Sequence, residues 1–324
     1  MPINNINTIA LVGFGRIAEV LYAPYLKKHF TKTLLVCEPN PTRHRVIQEI
    51  LPNSIIVNDL EKLKNDPKKL SFAFNLVSGP NHELLSYRLL EKGWNVFTEK
   101  PAAKSSVGWN KIVIRAKMKN LIIVSAPVTP YMPNVQKLKK FIDSGNIGEI
   151  SEIHLNFFSG GPARRGYIDD SRKWFFGKES CVIRDLAPYL ISTILHLLGK
   201  PSNFIWKRNN LKPLIDVRPE GFIKPVYGNA AIGIGNLEKA LLTVSVAYRA
   251  KVNNVNAKLF IASTSGNFEC DLDEQPNNGL HSEIKTSLVF DLIGNSIKNE
   301  NFWTQHVNEV KETLAIIELA FLQG

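Results

Sequence analysis

Apolar positions follow two different rhythms along the 324-residue chain. In the first third, short, mostly apolar runs occur at 9–12, 33–37, 54–57, 70–77, 94–98 and 121–124. Runs of that length without polar alternation predict strands buried on both faces. Between them, residues 19–29, 43–51, 81–92 and 109–119 carry helical spacing, and Gly93 stops the third of these helices. Strands alternating with helices predict a parallel, doubly wound Rossmann-type sheet, an α/β fold.

After Pro127 the rhythm changes. Pro130 and Pro133 interrupt the chain, and 135–144 reads as a helix ending at Gly145. Residues 149–158 alternate, with Ile150, Ile153, Leu155 and Phe157 set among polar neighbours. A long helix is predicted from about 184 to 198, stopped by Gly199, with Pro188 tolerated in its first turn. Strands are predicted at 203–207, 229–234, 240–248, 257–263 and 267–271, and a closing helix at 307–322. Consecutive strands with few helices predict an α+β domain whose largely antiparallel, open sheet is covered on one face. The expected organisation is therefore two domains, over 1–125 and 126–324.

Composition narrows the class. At 44% apolar and 21% charged residues the chain is globular, which excludes disorder and a coiled coil. No apolar stretch approaches a membrane span, and Met1–Asn7 lacks the cationic and apolar segments of a secretory signal. Three widely spaced cysteines, Cys37, Cys181 and Cys270, make neither a disulfide framework nor a metal knuckle, so a reducing, cytoplasmic setting is expected. The net charge is +11, and residues 1–126 hold 18 Lys and Arg against 9 Asp and Glu. No basic run is interleaved with aromatics, so nucleic acid is not an expected partner. The seven histidines form no HExxH or HxH pair, so no metal is expected.

The chemistry begins at Gly13-Phe14-Gly15-Arg16-Ile17-Ala18, which follows the first strand and opens the first helix. Gly13 permits the tight turn, Gly15 lets backbone approach a pyrophosphate, and Ala18 is small enough for the helix to pack on the strand. The pyrophosphate would lie at the positive N-terminus of that helix. Glu38 ends the second strand, 20 residues after Ala18. A carboxylate there accepts the ribose hydroxyls of NAD and repels a 2′-phosphate. Arg43 and Arg45 follow it and could meet a 2′-phosphate, so the cofactor is NAD or NADP, with NAD favoured.

Glu99-Lys100-Pro101, at a strand end about 80 residues after the glycine loop, resembles the EKP signature of the Gfo/Idh/MocA family, the glucose–fructose oxidoreductase and inositol dehydrogenase relatives. Gly79-Pro80-Asn81-His82 is similar to that family's loop after the fourth strand, and Ser144-Gly145-Asn146-Ile147-Gly148-Glu149-Ile150 to its SGxIGEI segment. The resemblance covers residues 8 to about 200. It implies a hydride-transferring oxidoreductase acting on a sugar, cyclitol or sugar nucleotide. Ser78, Asn81, His82 and Glu99 would lie against the cofactor, and Lys100 beside both nicotinamide and substrate. The proline of the motif is often cis in that family. A small sugar-like substrate, phosphorylated or nucleotide-linked, and a homodimer or homotetramer are the partners implied.

The family usually carries DxxxH on the first long helix of its second domain. Asp185 matches the aspartate, and Tyr189 stands where the histidine would be. Residues at i and i+4 share one helix face. Reduction of a ketone leaves an oxyanion that needs positive charge and a proton. Lys100 can supply both; Tyr189 can present its phenolic proton to the same oxygen, and Asp185 can hold the lysine in place. The alternative is that Asp185 braces the helix and Tyr189 packs in the core, His196 on the same face being read as a core residue. Tyr131, Arg164, Arg165 and Trp174 are further substrate-side candidates, the arginines lying in a glycine-rich loop suited to a phosphate or carboxylate. Two other functions stay open: a catalytically silent nucleotide-binding sensor, and a reductase of a non-sugar carbonyl or imine.

Overall fold

The computed structural model describes residues 2–160, 181–209, 229–248, 256–272 and 280–322. The chain divides into two units, the first Met1–Val128 with Gln275–Lys311, the second Thr129–Glu274 with Glu312–Gly324.

In the first unit the six apolar runs are β1 (Thr8–Val12), β2 (Thr33–Cys37), β3 (Ile55–Val57), β4 (Ser71–Asn75), β5 (Asn95–Thr98) and β6 (Ile123–Ser125). They form one parallel sheet in the order β3-β2-β1-β4-β5-β6. The mostly apolar runs are explained by burial on both faces: every residue of β4 is buried, Ser71 and Asn75 included, and Ile9 to Val12 of β1 likewise. The helices between strands are α1 (Ala23–His29), α2 (His44–Ile50), α3 (His82–Glu91) and α4 (Ser106–Met118). The strand order reverses direction between β1 and β4. Open α/β sheets bind ligands outside the carboxyl ends of the strands at such a point.

The helix expected over 19–29 is entered through a π-helical turn, Ala18–Tyr22, in which the Ala23 amide donates to the Ala18 carbonyl. Pro24 explains the change of pitch. It has no N–H to return to Val20, and its ring would press on that carbonyl in an unbroken α-helix.

Residues 280–306, for which no element was predicted, carry α7 (Leu280–Lys298) and the start of α8 (Glu300–Leu322). This segment packs on the Rossmann sheet rather than on the second unit. β6 is an edge strand whose outward backbone groups need partners. The Trp303 indole donates to the Ile123 carbonyl at 2.7 Å, and His306 Nε2 accepts the Ser125 amide at 3.0 Å. The Trp109 indole donates to the Val307 carbonyl at 2.9 Å. At the other end of the segment, Phe290 stacks on Tyr25 at 5.5 Å and lies 5.6 Å from Phe74. The segment thus covers the sheet edge and supplies part of the aromatic core.

The second unit contains α5 (Pro133–Asp143), β7 (Ile150–Ser159), α6 (Val182–Leu198), β8 (Ser202–Asn209), β9 (Ala230–Leu237), β10 (Ala240–Tyr248), β11 (Asn256–Ser263) and β12 (Gly266–Asp271). The strands pair in the order β12-β11-β7-β10-β9-β8, antiparallel throughout except for β7 with β10. α6 packs against β7, β9 and β10. Alternation is preserved: Leu242, Val244 and Val246 are buried, while Leu241 stands exposed on the opposite face. Ile205, Ile232, Ile234 and Phe260 are exposed as well. α6 begins at Val182, so Pro188 lies in its second turn rather than its first, and the Arg184 carbonyl loses its usual i+4 partner.

Candidate functional site

The carboxyl ends of β1, β2, β4 and β5 carry the predicted nucleotide-binding residues of the first unit. β1 runs into Gly13, whose φ of +87° favours glycine. A Cβ there would also lie 3.0 Å from Val77 Cγ1 and 3.1 Å from Val77 backbone atoms. Gly15 differs. No atom lies within 4 Å of the position its Cβ would take. The loop therefore offers open space beside the backbone where a pyrophosphate was expected, at the start of the helix.

Glu38 ends β2 and is buried. Its Oε2 accepts the Phe14 amide at 2.8 Å and its Oε1 the Asn40 amide at 2.9 Å. A carboxylate offers about four lone-pair sites, so two bonds leave capacity for two ribose hydroxyls. Arg43 Nε and Nη2 donate to the Phe14 carbonyl at 3.2 and 3.0 Å, and Nη2 donates to Glu19 Oε2 at 2.7 Å. Phe14 is thus held at its amide by Glu38 and at its carbonyl by Arg43. The residues present fit a dinucleotide: open backbone for the diphosphate and a preset acceptor for the ribose.

The loops after β4 and β5 are tied together. Glu99 N donates to the Asn75 carbonyl at 3.1 Å, and Asn81 Nδ2 to Ser78 Oγ at 3.0 Å. His82 is buried with Nδ1 2.8 Å from the Pro101 carbonyl and Nε2 3.0 Å from the Val77 carbonyl. Burial pushes its pKa below the ordinary value, so the neutral ring donates to one of the two. His82 therefore braces the loop bearing Lys100. The Lys100–Pro101 peptide is cis. Lys100 is half-buried and its amide donates to Glu99 Oε2 at 3.1 Å, while the Tyr22 hydroxyl donates to Glu99 Oε1 at 2.6 Å. Tyr22 was missed in the sequence, because a tyrosine in a helix behind a glycine loop reads as core.

In the second unit, Asp185 is buried on α6 and accepts the Tyr248 hydroxyl at 2.8 Å. Tyr248 ends β10, and it too was missed: it is distant in sequence and only strand pairing brings it to α6. Tyr189 is half-buried, its ring 5.2 Å from that of Phe157. One stripe of α6 continues to His196, which is only half-buried. Tyr131 lies edge-on to His196 at 5.3 Å, and Gln136 Nε2 lies 3.0 Å from His196 Nε2. Tyr131 and Gln136 therefore gather at His196, about three helical turns beyond Asp185 on α6. Arg164, Arg165 and Trp174 lie outside the described residues. Among the described residues no group of three or more His, Cys, Asp or Glu could hold a metal ion, and no helix is long and apolar enough to cross a membrane.

Comparison with known proteins matches both parts of the chain. Residues 7–126 match the model of the oxidoreductase family with an NAD-binding Rossmann fold, and residues 135–262 match the Gfo/Idh/MocA C-terminal domain. The chain is 26% identical over 216 residues to the oxidoreductase YhhX of Escherichia coli, covering 63% of this chain and 57% of that protein. It is 20% identical over 206 residues to the scyllo-inositol 2-dehydrogenase (NADP+) IolW of Bacillus subtilis, covering 62% of this chain and 56% of that protein. The matches thus span less than two thirds of either relative's length. The structure resembles the WlbA dehydrogenase of Chromobacterium violaceum in complex with NADH and UDP-GlcNAcA, with a TM-score of 0.77, 18% identity, and coverage of 98% of this chain and 93% of that one; the likeness is one of fold. With family models matching both its Rossmann and its C-terminal domain, the chain belongs to the Gfo/Idh/MocA family of oxidoreductases.

Proposed function

We propose that this chain is a nicotinamide-dependent oxidoreductase that acts on a hydroxyl or keto carbon of a sugar, cyclitol or nucleotide-linked sugar, with NAD preferred. The observation that carries the reading is the placement of Glu38, Gly15 and Lys100 at the carboxyl edge of one parallel sheet, where the order of strands reverses. When bound, the nicotinamide supplies or removes the hydride. Glu38 orients the adenosine ribose, and the backbone beside Gly15 receives the diphosphate. Lys100 stabilises negative charge on the reacting oxygen, and Tyr189 exchanges its phenolic proton with it. Asp185, gripped by Tyr248, sets the electrostatics of that end of α6. Arg164, Arg165 and Trp174 are proposed on the substrate side, with Tyr131. The substrate class is supported by the inositol dehydrogenase and the WlbA complex with a UDP-sugar. Three buried free thiols suit a reducing, cytoplasmic location.

Consumption of NADH or NADPH against a panel of ketosugars, ketocyclitols and keto-sugar nucleotides tests the proposal. Turnover lost in Lys100→Met and reduced about 10²–10⁴-fold in Tyr189→Phe is expected, with Tyr189→His recovering part of it. Near-normal turnover in Tyr189→Phe would make the phenol a packing group. The silent sensor is the second reading, favoured by tyrosine in the histidine position and by its ring packing on Phe157. Tight nucleotide binding without turnover on any panel member, and with no effect of Lys100→Met, would establish it. A non-sugar carbonyl or imine substrate would show as turnover outside the panel.

The exposed apolar face bearing Ile205, Ile232, Ile234, Leu241 and Phe260 is proposed to pair with another copy in a homodimer or homotetramer. Light scattering of Ile234→Glu/Phe260→Glu, expected to be monomeric, tests this.

A further inference from the structure

Arg43 stands beside the residue that would read the ribose, but its charge is engaged elsewhere. Three donor contacts go to the Phe14 carbonyl and to Glu19, the last at 2.7 Å. Both side chains are mostly withdrawn from solvent, at 26% and 30% exposure, so water screens the pair only in part. The glycine loop therefore has an arginine within reach whose guanidinium is neutralised by a carboxylate on the first helical turn.

We infer that Glu19 is a specificity-determining residue: by holding Arg43 on the Phe14 carbonyl, it withholds a nearby guanidinium that could receive a 2′-phosphate. The inference rests on the nucleotide-binding reading above and goes beyond the role of Glu38. A 2′-phosphate would bring close to two negative charges toward a buried Glu38 carboxylate. Its natural counter-charge is an arginine fork. Arg43 can turn its Nε–Nη2 edge and its full charge to a phosphate only by leaving Glu19 and the Phe14 carbonyl. Discrimination against NADP thus comes from two carboxylates, one that repels the phosphate and one that occupies the arginine. Glutamine at 19 keeps the side-chain length and an acceptor oxygen but removes the charge.

Calorimetric titration of NAD, NADP, ADP and 2′,5′-ADP into the unmodified chain, Glu19→Gln, Glu19→Ala and Glu19→Gln/Arg43→Gln is the test. Both single variants are expected to raise the NADP-to-NAD affinity ratio about tenfold, the scale of one close charge pair. The fragment pair should move in the same direction, and the double variant should lose the gain. An unmoved ratio in both single variants overturns the inference, as does a gain that persists without Arg43. Equal weakening of all four ligands would make the pair a structural brace and also overturns it. NAD binding by the unmodified chain with an unmoved ratio defeats this inference alone. Binding of neither nucleotide defeats the nucleotide reading and this inference together.

Discussion

Alanine at Gly13 and alanine at Gly15 should fail in opposite ways. At Gly13 the backbone has φ +87°, and a new Cβ would meet Val77 Cγ1 at 3.0 Å and Val77 Cα and N at 3.1 Å. The left-handed conformation costs an L-residue about 1–2 kcal/mol. The tight contact adds to this, because two of the three crowding atoms are backbone and the loop after β4 must shift. A total of about 2–4 kcal/mol is expected, within the range of overpacked core substitutions. At Gly15 the Cβ meets nothing within 4 Å and no left-handed angle opposes it. Stability should stay within about 0.5 kcal/mol or rise slightly, since alanine restricts the unfolded chain. The methyl group would instead fill the space proposed for the diphosphate, and NAD affinity should fall at least about tenfold. Urea unfolding and NAD titration on both variants separate the two effects. Undiminished NAD binding by Gly15→Ala would refute the placement of the diphosphate. Unaltered stability in Gly13→Ala would refute the steric reasoning.

Trp303→Phe keeps most of the bulk but leaves the buried Ile123 carbonyl without its donor, so a loss of about 1–3 kcal/mol is expected in urea unfolding; a loss below about 0.5 kcal/mol would mean that the edge of β6 does not depend on this segment. The folded-state pKa of His82 is depressed by burial, so its contribution to stability is complete above the ordinary value of 6.5 and is lost as pH falls through the folded-state value. His82→Asn should therefore flatten the acid side of the stability profile, and an unchanged slope would contradict the assignment. Burial pushes the Cys37 thiol up to about 11, so iodoacetamide at pH 8 should leave it unmodified until denaturant is added, as measured by mass spectrometry. Tyr248→Phe should lower kcat more than it alters nucleotide affinity, because it withdraws a donor from Asp185; equal effects on both would point to a general loss of structure.

The Rossmann half was legible because its signals are local. Buried strands must be apolar on consecutive positions, a glycine turn must precede the helix, and a carboxylate must end β2; each demand leaves its mark within a few residues. The alternation in β7 to β12 was readable for the same reason, since one covered face imposes period two. What sequence could not reveal is whatever depends on partners remote in the chain. Residues 280–306 pack against an edge strand some 180 residues earlier, as the Trp303–Ile123 bond shows, and against Tyr25 and Phe74 earlier still, and no local rhythm announces those partners. The grip of Tyr22 on Glu99, of Tyr248 on Asp185 and of Glu19 on Arg43 is likewise set by which strand ends the sheets bring together. Chain composition selected the candidate chemical groups. Tertiary structure decided which of their charges and protons are already engaged, because hydrogen bonding is settled over a few ångströms in space and not along the sequence.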